Sequence, residues 1–104
     1  MNTKEASPFM AKMKIRYAII QKHLAVSASV RQLKMSIDKD QETALRQQLK
    51  LTVTDLVTTK QELRDYDYND TYDTAEVIAA KAKDFQKEVN MRYYNALPKR
   101  RLYP

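Results

Sequence analysis

The sequence predicts an all-α fold: a small antiparallel helical bundle of three main helices plus one short helix. Three observations carry the prediction. The 104 residues contain no glycine, and the three prolines stand at positions 8, 98 and 104, so no strong helix breaker interrupts residues 9–97. Apolar residues recur at spacings of three and four through most of that span. A chain of 12.2 kDa supports one domain with a modest core, since folding at this size hides only about 60–65% of the surface the unfolded chain exposes. The expected organisation is a disordered leader over residues 1–6, one helical-bundle domain over 7–97, and a basic flexible tail, PKRRLYP, over 98–104.

Ser7 and Pro8 form a strong helix start, a side-chain oxygen at the cap followed by proline in the first helical position. In the first helix Met10, Met13, Tyr17, Ile20 and Leu24 make an apolar stripe read as core, with Ile15 and Ile19 widening it. Val26, Val30, Leu33 and Ile37 form a second stripe that does not continue the first. That change of register, with Ser29 and Gln32 spaced as a capping box, predicts a break near residues 25–29 and a short helix over about 29–37. The competing expectation is one helix with a stutter.

Asp38 with Gln41, or less well Asp40 with Thr43, can cap the next helix, which carries Leu45, Leu49, Val53, Leu56, Val57 and Leu63. Within it LKLTVT, residues 49–54, alternates apolar and polar like a strand. Helix prevails because the surrounding Gln, Glu, Leu, Lys and Arg favour it, and a strand without a pairing partner leaves its backbone unsatisfied. The last helix is expected to start after Asp73, with Glu76 third in a D-x-x-E cap. Its core side is Ile78, Ala82, Phe85, Val89, Tyr93 and Ala96, and Leu97-Pro98 ends it.

Composition narrows the function classes. Without glycine there are no Walker-type or dinucleotide-binding loops, and without cysteine there are no disulfides, thiolate nucleophiles or thiolate metal sites. No apolar run approaches the roughly 20 residues of a membrane span, and the N-terminus lacks a signal-peptide core, so the expected compartment is the cytoplasm. A membrane partner is not expected, because the apolar face of the basic first helix is assigned to the core.

One stretch resembles a chemical site. In DYDYNDTYDTAE, residues 65–76, Asp65, Asp67 and Asn69 fall at positions one, three and five of a twelve-residue calcium loop, with Thr71 at seven, Asp73 at nine and Glu76 at twelve. The spacing resembles the EF-hand pattern, which implies a calcium site of carboxylate and amide oxygens. Two positions depart from that pattern: Asp70 stands where glycine makes the sharp turn, and Tyr72 where an aliphatic residue belongs. The flanking residues also lack the apolar positions of the family's helices. An interhelical turn ending in a helix cap is therefore the expectation, with no metal and no cofactor. Capping leaves Tyr66, Tyr68 and Tyr72 unexplained. Aromatic rings among carboxylates suit a protein interface, and these three are the candidate protein-interaction residues.

Charge is segregated along the chain. Residues 1–35 carry +6, 36–76 carry −5, and 77–104 carry +5. Lys81, Lys83, Lys87, Arg92, Lys99, Arg100 and Arg101, with Tyr93, Tyr94 and Tyr103 nearby, make a candidate nucleic-acid-binding set. No enzymatic constellation is legible. His23 is the one histidine, Ser27 and Ser29 read as caps, and no orienting carboxylate accompanies them. Residues 33–40, LKMSIDKD, are similar to the opening helix of small chorismate mutases, but the arginine and lysine pattern with which that family holds a dicarboxylate does not follow. The leading expectation is a non-catalytic protein-interaction regulator, inhibitor or assembly factor, able to self-associate to extend a small core. The alternative is a nucleic-acid-binding accessory protein using the basic last helix and the KRR tail.

Overall fold

Pro8 opens the first helix, where its missing N–H is not needed. From there the computed structural model, which describes residues 8–68 and 73–98, runs as three helices in chain order: α1 Pro8–Lys34, α2 Lys39–Tyr68 and α3 Ala75–Ala96. Ser7, the leader and residues 99–104 of the tail lie outside the described residues.

α1 is continuous, and no separate short helix over residues 29–37 exists. Between Phe9 and Lys34 the chain has neither glycine nor proline, and Ala25 and Ala28 are strong helix formers at the expected break. Ser29 caps nothing; it lies in mid-helix, 5% exposed. The register change has another cause. At roughly 100° per residue, Ile15, Ile19, Val26, Val30 and Leu33 share one face, and Met10, Met13, Tyr17, Ile20 and Leu24 centre about 160° away on the other. The first set packs inward and the second faces solvent, so the stripe predicted as core is the outer one. Ile15 and Ile19 belong to the same face as Val26, with no stutter between them.

The α1–α2 turn manages without glycine by using side chains. Ser36 donates its hydroxyl to the Leu33 carbonyl at 2.8 Å, and its N–H reaches the same oxygen at 3.2 Å. The Gln41 N–H donates to Asp38 Oδ1 at 2.7 Å while Gln41 Oε1 accepts from the Ile37 N–H at 3.3 Å, so the Asp38–Gln41 pair caps α2. Ile37, placed by the spacing in an apolar stripe, is exposed in this turn.

α2 is the central element, packed along α1 more extensively than along α3, with only slight contact between α1 and α3. Its strand-like stretch is helical. Leu49 and Val53, one turn apart, are buried, whereas Leu51, which a strand would place on their face, is 66% exposed. The hydroxyls of Thr52, Thr54, Thr58 and Thr59 each donate to a carbonyl three or four residues back, leaving no polar side-chain atom unsatisfied where Thr59 is buried. The core is small: Leu33, Leu49, Val53, Leu56, Val57 and Val89 are buried, and Val26, Val30, Leu45, Phe85, Tyr93, Ala96 and Leu97 are packed around them.

α3 is capped one residue later than D-x-x-E spacing predicts. Thr74, extended at φ −77° and ψ 167°, accepts from the Val77 N–H at 3.2 Å. Asp73 is engaged elsewhere, receiving Lys81 Nζ at 2.8 Å. At the other end Leu97 leaves the helix at ψ 135°, as the clash with Pro98 requires, while its N–H reaches the Tyr93 carbonyl at 3.1 Å. Val89, Phe85, Tyr93 and Ala96 meet the core as their spacing predicts, but Ile78 and Ala82 are exposed in the N-terminal half.

Candidate functional site

Among the described residues no group of three or more His, Asp or Glu is placed to hold a metal ion. The acidic turn explains part of this. α2 continues through Tyr68, so Asp65 and Asp67 are helical residues and not the opening of a loop. Asp65 accepts from Gln61 Nε2 at 2.9 Å and lies 3.9 Å from Lys81 Nζ, the same ammonium that binds Asp73. A lysine of α3 thus sits between two of the six candidate calcium ligands. Glu76 is exposed in the first turn of α3, and Asn69 and Thr71 lie outside the described residues. Of the three candidate interface tyrosines, Tyr66 is exposed in the last turn of α2 and Tyr68 is the final residue of that helix. Tyr72 lies outside the described residues.

The basic set divides between two sides of α3. Lys81 faces the acids of the α2–α3 turn. Arg92 donates from Nε to Glu88 at 2.9 Å, and Arg64 of α2 reaches the other Glu88 oxygen at 3.3 Å. Burial raises the Glu88 pKa, but the Arg92 hydrogen bond and the charges of both guanidiniums outweigh it and hold the carboxyl below its ordinary value. Lys83 and Lys87 stand on the opposite, exposed ridge and make no ion pair among the described residues. Lys99, Arg100 and Arg101 lie outside those residues. Tyr93 turns inward, under Lys50 Nζ at 4.8 Å from the ring centre, and meets Tyr94 edge to face at 5.2 Å.

His23 stands at the edge of a cleft of about 290 Å³ where the three helices converge, lined also by Val26, Val53, Leu56, Arg92, Asn95 and Ala96. Its pKa is lowered, first by desolvation and then by the positive charges of Lys60 and Arg92. No carboxylate and no nucleophile lines this cleft, so it lacks the pairing that activates a histidine base. Residues 33–40, compared above with an opening helix, instead span the end of α1, the turn and the start of α2.

The stripe that sequence spacing assigned to the core is instead a line of exposed apolar side chains. Phe9, Met10, Met13, Tyr17, Ile20 and Leu24 are between 44% and 66% exposed along one face of α1. Taking roughly 150–200 Å² for a whole side chain, they present mostly apolar surface on the order of 500–700 Å². That is at or above the upper end of the roughly 300–600 Å² that the largest patch on a typical monomer covers. Beyond Leu24 the face adjoins a groove of about 440 Å³ between α1 and α2, lined by Ala25, Ala28 and Ser29 on one side and Ala44, Leu45 and Gln48 on the other. The signal that could have found this face was the pair of apolar stripes out of register. A helix packed on one neighbour needs one stripe, so the second was available for something else.

The chain matches no protein-family model, no curated protein and no solved structure. No helix among the described residues is long and apolar enough to cross a membrane.

Proposed function

We propose that the protein acts by binding another protein, without catalysis, and that its docking surface is the outer face of α1. It would serve as a small regulator, inhibitor or assembly factor. One observation carries this reading: six large apolar side chains line one helix face directly opposite the face that packs on α2. Leaving such a stripe in water forgoes burial worth about 25 cal/mol per Å², and patches of this size on small proteins mark interaction sites. The two methionines add adaptable, unbranched contact area. Tyr66, exposed at the far end of α2, is a secondary candidate contact.

The test is site-specific photo-crosslinking in the cells the protein comes from. A photoreactive side chain at position 17 or 20 is expected to give one discrete protein adduct, while the same group at position 62 or 87 gives none. Equal labelling from all four positions, or no adduct from 17 and 20, would overturn the assignment.

Lys83 and Lys87, exposed one turn apart with Tyr94 two turns further along α3, favour a second reading as a nucleic-acid-binding accessory. A mobility shift that weakens steeply between about 50 and about 200 mM salt, and that Lys83→Glu with Lys87→Glu abolishes, would support it. The absence of any shift at low salt would exclude it.

A further inference from the structure

The outer face of α1 has a finer pattern than apolar exposure. Met10, Met13, Tyr17, Ile20 and Leu24 follow one another at intervals of three, four, three and four, the a and d positions of a heptad repeat. Their directions span only about 80° of the helix, a seam and not a broad face. The residues beside the seam, in e and g positions, are Phe9 at its start and then Lys14, Arg16, Gln21 and His23. Ile15, Lys22 and Ser29, in f positions, point the other way; Ser29 is buried, and Lys22 pairs with Asp55 of α2 at 3.0 Å. α1 is therefore built to pack on α2 with one side and to present a coiled-coil seam with the other.

Charge selects what fits that seam. α1 carries six basic residues and no acidic one. In paired helices the e and g charges decide the partner, opposite signs attracting across the seam and like signs repelling. A second copy offers Lys14 and Arg16 no carboxylate: in a parallel pair their g-to-e neighbours are Phe9 and Gln21, and in an antiparallel pair they meet the same uncharged and basic set. A lipid surface would be met by a wider apolar face, with a free polar side turned to water, whereas here that side is occupied by α2. On the reading that the outer face of α1 is the docking surface, we propose that its partner is an acidic amphipathic helix. That helix lies along Met10–Leu24, with its own apolar heptad seam facing α1 and glutamate or aspartate flanking it. Two heptads, about 21 Å of helix, limit the contact to modest affinity, in keeping with a reversible regulator.

The experiment uses the full chain and two synthetic peptides of about 18 residues, identical in leucine and isoleucine at a and d, with glutamate at e and g in one and lysine in the other. Fluorescence anisotropy is expected to show the glutamate peptide binding at least about tenfold more tightly, since each tenfold corresponds to about 1.4 kcal/mol. Lys14→Glu combined with Arg16→Glu should reverse that preference, and Ile20→Glu should weaken binding at least tenfold with the thermal midpoint kept. Equal binding of both peptides, binding of neither, or a preference unmoved by the charge reversal would overturn the proposal. So would a concentration-dependent dimer in sedimentation, or capture by phosphatidylglycerol vesicles, if either is stronger than peptide binding and lost in Ile20→Glu. Those last two results would leave the outer face standing as a docking surface with a different occupant. If instead Ile20→Glu changes no binding of any kind, the docking surface itself is wrong.

Discussion

Two substitutions on α1, thirteen residues apart, test which of its faces is inside. Leu33 is 1% exposed in the core and Ile20 is 56% exposed on the seam. Leu33→Ala removes three buried carbons, about 2.4 kcal/mol of transfer free energy, and leaves a cavity. The site is in the last turn of α1, where some collapse is possible, so about 2.5–3.5 kcal/mol is the expected loss. Ile20→Ala removes side-chain carbons that are less than half buried, costing about 1 kcal/mol, and alanine's better helix propensity returns about 0.4 of it. The difference between the two variants is then about 2–3 kcal/mol, or roughly 8–24 °C in unfolding midpoint for a domain of this size. Urea unfolding followed by helical ellipticity, at low micromolar chain concentration to avoid association, gives both values from one experiment. If Ile20→Ala proves as destabilising as Leu33→Ala, or more so, the seam is a core stripe and not a docking surface.

Glu88→Gln, which removes the carboxylate shared by Arg64 and Arg92, should lower stability by about 1 kcal/mol, measured by thermal melting. A loss below about 0.2 kcal/mol would mean the bridge does not help hold α3 on α2. Asp38→Ala removes the acceptor for the Gln41 N–H and should cost about 1 kcal/mol, whereas Asp38→Asn, which can still cap, should cost less. Acidification should destabilise the fold in two separable stages. The His23 pKa is depressed, so the unfolded chain takes up the proton first and stability falls as pH drops below the ordinary value of 6.5. The Glu88 pKa is also depressed, and its contribution is lost as pH falls below 4.5 and through the lower folded-state value. Melting midpoints across pH should lose the upper stage in His23→Gln and weaken the lower in Glu88→Gln; a midpoint that rises on acidification would contradict both shifts.

The parts of the fold legible in the sequence are the ones decided within a few residues. Asp38 and Gln41 cap α2 because a short carboxylate three residues before a backbone N–H can reach it in any surroundings. Pro98 ends α3 through a clash with Leu97 that involves no other element. The spacing places the cap of α3 at Asp73, but Lys81, eight residues away, engages that aspartate and Thr74 caps the helix instead. The basic set reads as one patch along the chain, yet helix periodicity puts Lys81 and Arg92 across α3 from Lys83 and Lys87, and there ion pairs engage them with Asp73 and Glu88.

By itself the sequence determined that this chain is helical. Absent glycine, terminal prolines and three-and-four spacing act through local backbone sterics and need no knowledge of neighbours. It also determined that α1 has two apolar stripes and no negative charge. Only the tertiary structure decided which stripe is the core. Helix periodicity groups residues into faces but assigns no face to a partner; that depends on where Leu49, Val53 and Val57 of α2 come to lie. Once they cover Val26, Val30 and Leu33, the opposite seam from Met10 to Leu24 is left facing water, and the candidate site follows from that placement.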